Sequence, residues 1–231
     1  NSIAANARNV WVYIESQDGP SDSDRPFVAV ADDGHGISEN ELVKVMKYGH
    51  QSSNIDTNLG RFGLGMKTAS TSQSWILSVA TREFSNQEFT RRSWDIDYIE
   101  EIGEWRLRRP KSEVFPIKIM QKISDTSGTV ILLNDLSRMK KNIYDLSPVN
   151  QAKHLNSKIT DTTEWLGIVF HRFISGTTVS PQYANRQVNI FVNDAPVTAW
   201  DPFLSDHERH SDYEIPGRER DRLSHRLPET G

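Results

Sequence analysis

The sequence predicts an α+β sandwich, and three observations carry that prediction. Short β-branched and aromatic runs recur between turn signals, among them Val10-Trp11-Val12-Tyr13-Ile14 and Gly128-Thr129-Val130-Ile131-Leu132-Leu133. The strands come in runs, with helices to one side of them. The stretch Leu59-Gly60-Arg61-Phe62-Gly63-Leu64-Gly65-Met66-Lys67-Thr68 places three glycines where the backbone must bend tightly and then opens a helix from Met66.

Composition sets the outer limits. A chain of 231 residues can bury one substantial core, with part of another beyond it. Hydrophobic residues at 36% and six Trp make general disorder untenable. The formal charge of −4 gives the surface as a whole no attraction for nucleic acid, so any such contact has to be local or made elsewhere. Cysteine is absent, which removes disulfides and thiolate metal sites and fits a reducing compartment. No apolar run reaches membrane-spanning length and no secretory signal stands at the start, so a soluble, cytoplasmic protein without membrane contact is expected. The chain starts at Asn1 without Met and runs straight into helical sequence, as an excerpt would.

Residues 1–9 are small and Ala-rich, with Ile3 and Ala7 four apart, and read as the last turns of a closely packed helix. Residues 10–14 and 27–31 read as two strands of a hairpin across a polar loop. The second strand runs into Asp32-Asp33-Gly34-His35-Gly36, which places a carboxylate at a pocket mouth where it can accept from an amine; a simple Asp-Gly turn is the plainer reading of the same residues. His35 is assigned to packing or solvent. Ser38 with Glu41 forms a capping box for a helix through about Tyr48. Residues 49–58 are polar without apolar period, a surface loop and candidate lid.

In the glycine stretch, unpaired helical N–H groups and the dipole's positive end suit a phosphate and Lys67 adds a full charge, while a hairpin turn or helix cap with a solvated lysine is the plainer reading of the same residues. Residues 75–81, 89–94 and 104–108 read as successive strands, and 128–133 as a central one. Arg106, Arg108, Arg109 and Lys111 are taken as outward-facing side chains in water. Trp165, Leu166, Val169, Phe170 and Phe173 form an apolar stripe on a core-facing helix over 161–175. Residues 188–192 are a strand ending in the turn Asn193-Asp194, and residues 205–231 are expected to be poorly packed.

Taken in order, a helix end at Asn1, Asp-Asp-Gly-His-Gly after a strand, Gly-Arg-Phe-Gly-Leu-Gly, and Ser-Gly-Thr-Val opening a later strand resemble the GHKL (Bergerat-fold) ATPases: gyrase, the ninety-kilodalton chaperones, histidine kinases and MutL. Tyr48-Gly49-His50-Gln51-Ser52-Ser53 and Gly63-Leu64-Gly65-Met66-Lys67-Thr68 most resemble the MORC and bacterial MORC-like branch, near MutL. The resemblance implies a two-layer sandwich with a mixed, mostly antiparallel sheet and helices on one face, spanning 1–203, with 204–231 a polar tail or the start of a further domain. It implies ATP and Mg²⁺ as cofactors.

Role by role, the resemblance implies that Asn1 helps hold Mg²⁺, that Asp32 accepts from the adenine amine, and that Gly34 and Gly36 bring backbone to the base. Gly60, Arg61, Phe62, Gly63, Leu64, Gly65, Met66 and Lys67 form the phosphate loop, and Thr129 joins the water network near the base. The general base, a Glu four residues before the Asn in the family, is expected upstream of Asn1. An ATP-dependent homodimer follows, with DNA contacted through other domains. A histidine kinase domain, a chaperone ATPase and a nucleotide-binding module without hydrolysis are the alternative readings.

Overall fold

In the computed structural model the described residues are 1–16, 26–47, 70, 72–136, 146–178, 183 and 186–202. The chain divides into two units, Asn1–Trp200 and Asp201–Gly231, and the elements described belong to the first. The expectations for the loop at 49–58, for Gly60 to Lys67 and for 205–231 fall outside the described residues.

The α+β class holds. Strands β1 (Asn9–Ser16), β2 (Pro26–Asp32), β3 (Ile76–Arg82), β4 (Thr90–Asp95), β5 (Gly128–Asn134), β6 (Asn189–Val192) and β7 (Ala195–Pro196) form one sheet in the order β4-β3-β5-β2-β1-β6-β7. Among the described residues, only the β1–β6 pairing is parallel. The register Val12↔Val30 and Val30↔Ile131 lines up β-branched residues across three strands, the pairing that a pleated, two-sided surface favours.

Alternation divides the core in two. Val10, Val12 and Ile14 point to one face with Ile190 and Val192, covered by helix α4 (Pro148–Val169) through Leu155. Farther along, helix α1 (Glu39–Met46) buries Leu42 and Met46 against Leu77, Val79 and Trp94. Tyr13, Ala29, Ala31, Val130 and Leu132 point the other way and meet Ile119 and Ile123 of short helix α3 (Ile117–Lys122) and its flank, so this one helix caps the opposite face. The six-residue α3 has too few turns to show a helical period in the sequence.

Several expectations change in detail. Residues 104–108 are not a strand: only Arg108 pairs, in an isolated antiparallel bridge with Ser93, because Pro110 lacks the N–H that would extend the ladder and Asp95 turns away as N-cap of helix α2 (Ile96–Ile102). The late helix begins at Pro148, with Ser147 accepting from the Asn150 amide and Pro at the first position. It ends at Val169, and α5 (His171–Ser175) continues after Phe170. Of the expected stripe, Leu166, Phe170 and Phe173 pack on the core, whereas Trp165 is 65% exposed and Val169 58%. The three arginines of the basic run are ion-paired: Arg106 to Glu104, Arg108 to Asp95 and Arg109 to Glu39, which also holds Arg92.

Arg82 closes the end of β3. Its guanidinium is buried without a carboxylate and donates to the carbonyls of Thr126 at 2.9 Å, Gln87 at 3.2 Å, Ile123 at 2.8 Å and Ser124, while stacking on Phe89. Ile123 and Ser124 lie just past α3, where carbonyls lack helical partners. Arg82→Met keeps the length but strands these acceptors, so an expected loss of about 3 kcal/mol follows. Chemical denaturation measures it; a loss within roughly 0.5 kcal/mol would show that water replaces the guanidinium.

Candidate functional site

Residues 1–9 contain the expected helical end. The Ala5 amide donates to the Asn1 carbonyl at 2.9 Å, and Asn6, at φ 64°, sends its amide to Ile3 while Ala7 reaches Ser2. This paired pattern around a left-handed Asn is how helices commonly stop. Ile3 and Ala7 are buried, as their spacing predicts.

The turn is fastened to the end of β2. Asp33 accepts from the amides of Arg8 and Asn9 at 2.8 Å each and from Asn9 Nδ2 at 2.7 Å, so both its oxygens serve the fold. Asp32 is different. Its Oδ1 accepts from the Gly34 amide at 3.0 Å and its Oδ2 from the Ser2 hydroxyl at 2.8 Å. An ionised carboxylate has about four acceptor sites, so Asp32 retains capacity for a further donor.

Asp32 lies in a row across the sheet. It pairs with Val10 on one side and Thr129 on the other, and Thr129 pairs with Thr81. The hydroxyls of Thr81 and Thr129 are 2.9 Å apart, and Thr81 Oγ1 also donates to the Gly128 carbonyl and accepts from the Ile37 amide at 2.9 Å. The result is one carboxylate and two hydroxyls, all nearly buried, on one face at one end of the sheet.

Gly34 and Gly36 are explained by close approach within the chain. A Cβ on Gly34 would lie 2.7 Å from the Ala5 carbonyl oxygen, and one on Gly36, at φ +71°, 2.0 Å from that of Arg82. They let the turn after Asp32 fit between the N-terminal turn and β3. His35 is exposed, with Nδ1 2.7 Å from the Gly36 carbonyl, as a solvent-facing residue would be.

Asn1 is exposed at the start of the turn whose next residue binds Asp32. The sheet therefore brings together Asp32, Gly34, Gly36 and Thr129, and Asn1 stands beside them through Ser2. Gly60 to Lys67 lie outside the described residues. Sequence reasoning missed Ser2 and Thr81. Ser2 could have been found as the polar residue inside an Ala-rich turn; Thr81 carries no sequence signal, since a threonine in a strand reads as an ordinary β former.

Burial pushes the Asp32 carboxyl above the ordinary aspartate value of 3.8, and the hydrogen bonds from Ser2 and Gly34 oppose this only partly. The sign follows: the folded state holds this proton more tightly than the unfolded chain, so the contribution of Asp32 to stability is greatest when protonated and declines as pH rises through the raised pKa. A donor bound to Asp32 needs the ionised form. Adenosine affinity should accordingly fall on acidification, with its midpoint above the ordinary aspartate value of 3.8. Calorimetric titration over a pH series checks this, and a flat profile would remove the carboxylate from the contact.

The residues present fit an adenine nucleotide at this end of the sheet: a buried acceptor with only two donors on it among the described residues, and two hydroxyls beside it. Among the described residues no group of three His, Asp or Glu side chains gathers to hold a metal alone.

The row lies on a mixed sheet with helices over it, a domain of α+β class. A protein-family model described as histidine kinase-, DNA gyrase B- and HSP90-like ATPase matches residues 1–129, and the chain belongs to that family. The matched region starts at Asn1 and ends at Thr129, so it includes every candidate residue above. No curated protein matches the chain. It carries the family's ATP-binding domain, and among the described residues no helix is long and apolar enough to cross a membrane.

Proposed function

We propose that this domain is the nucleotide-operated switch of a DNA-associated ATPase of MORC-like or MutL-like type. Adenine donates its amine to Asp32, with Thr129, Thr81 and Ser2 ordering the polar end of the pocket. The triphosphate is met by the glycine stretch from Gly60 to Lys67, and Asn1 is the residue that would hold Mg²⁺, an ion that would neutralise phosphate charge when bound. Bound ATP favours association of two copies, and its hydrolysis reverses it.

The observation that carries the reading is the row Asp32, Thr129, Thr81 with the Ser2 hydroxyl on the carboxylate. The assignment to the MORC and MutL side rests on Tyr48 to Ser53 and Gly63 to Thr68 in the sequence. Among the described residues, Arg106, Arg108 and Arg109 are matched by carboxylates, so the DNA contact is assigned to other parts of the protein and not to this run.

The reading is tested by sedimentation of the protein with a non-hydrolysable ATP analogue and Mg²⁺. A dimer that reverts to monomer with ADP is expected. A monomer throughout, under conditions where calorimetry shows the analogue bound, would overturn the switch and leave an ATP-binding domain of another use.

A further inference from the structure

On the face of the sheet away from Asp32, the turn at Ser112–Val114 and helix α3 lie beside the beginning of β4. Between them is a shallow groove of about 380 Å³, lined by Phe89, Phe115, Ile117 and Met120 with Arg91 and Ser112 among them. Ile117 is 76% exposed at its edge and adds apolar surface to the rim.

Arg91 differs from the other arginines of this region. Arg92, its neighbour, points to the opposite face and is bound to Glu39 at 2.7 Å. Arg82 satisfies four carbonyls. Arg91 has its Nε buried with no hydrogen-bond partner among the described residues, and makes no ion pair among them. Glu113 is close enough for Arg91 to contribute to lowering its carboxyl pKa, yet its main partners are its own backbone and Ser112. A buried N–H donor on a charged group that lacks an acceptor is costly, and native proteins seldom keep one without a use.

We propose that this groove binds an extended segment of a partner protein that presents a bulky apolar side chain next to a carboxylate. The apolar side chain covers Phe89, Met120 and Ile117, and the carboxylate accepts from Arg91. Charge complementarity fixes the occupant: the groove lining contributes one cation and no acidic side chain, and its floor is too apolar for a bare inorganic anion. The site is separate from Asp32, being on the other side of the sheet, and does not depend on the nucleotide reading.

The test is an array of acetylated, amidated octapeptides, each with one Phe, Leu or Trp and one Glu at varied spacing, beside a matched array with Gln for Glu. The full chain should select peptides with the acid within two residues of the apolar side chain, at least tenfold over their Gln counterparts. Arg91→Met should erase that preference while keeping residual apolar binding, and Ile117→Asp should abolish both. Unchanged thermal melting in each variant shows that the fold is intact. If no peptide is preferred over its Gln partner, or if Arg91→Met leaves the preference in place, the proposal is wrong. It is equally wrong if phenylacetate binds as tightly as the best peptide, since a small carboxylate would then be the occupant.

Discussion

Replacing Asp32 by alanine is expected to lower ATP affinity about a hundredfold, because a hydrogen bond to an ionised group contributes roughly 3 kcal/mol at its upper range and each 1.4 kcal/mol is tenfold. The fold should survive. Among the described residues, only Ser2 and the Gly34 amide donate to Asp32. Asp33, which fastens the N-terminal turn through three hydrogen bonds, remains in place. Calorimetry with ATP, paired with circular dichroism, separates the two effects. Wild-type affinity in the variant would take the adenine contact away from Asp32, whereas loss of fold would show that its hydrogen bonds matter more to the turn than to a ligand.

The second large effect is on the fold itself. Gly36→Ala combines a left-handed backbone, which costs an L-residue about 1–2 kcal/mol, with a Cβ placed 2.0 Å from the carbonyl oxygen of Arg82. That oxygen is part of the last residue of β3 and cannot move without disturbing Thr81. A total of roughly 4 kcal/mol is expected, lowering the melting midpoint by about 10 °C. Gly103→Ala is the control. It has a similar φ of +66° but nothing within 4 Å of the added Cβ, so only the backbone term should appear. Equal losses in the two variants would mean that the contact with Arg82 relaxes freely.

Much of this molecule is legible in the sequence because its strands are locally marked. β1, β2, β3, β4, β5 and β6 each follow from β-branched or aromatic runs between turn residues, and Ser38 with Glu41 marks α1. The order of strands is less legible, since placing β5 between β2 and β3 depends on contacts far apart in the chain. The first part of α4 is polar and offers only Ser147-Pro148 as a start signal, and its exposed Trp165 mimics a core residue in a helical stripe. At the site, Asp32 and Thr129 are legible through family resemblance, and the structure sets them on paired positions. The distinction between Asp32 and Asp33 rests on which oxygens the N-terminal turn occupies, which no local pattern encodes. Thr81 is found only by its register opposite Thr129.

If Asp32 reads the amine of adenine, calorimetric titrations of the full chain with Mg²⁺ separate ATP from inosine triphosphate. The two ligands share sugar and phosphates, and at the position where ATP offers an N–H donor inosine presents a carbonyl oxygen, which a carboxylate repels. ATP should bind at least about a hundredfold more tightly, and Asp32→Ala should bring the two affinities together. Equal binding of ATP and inosine triphosphate by the wild-type protein would contradict the account.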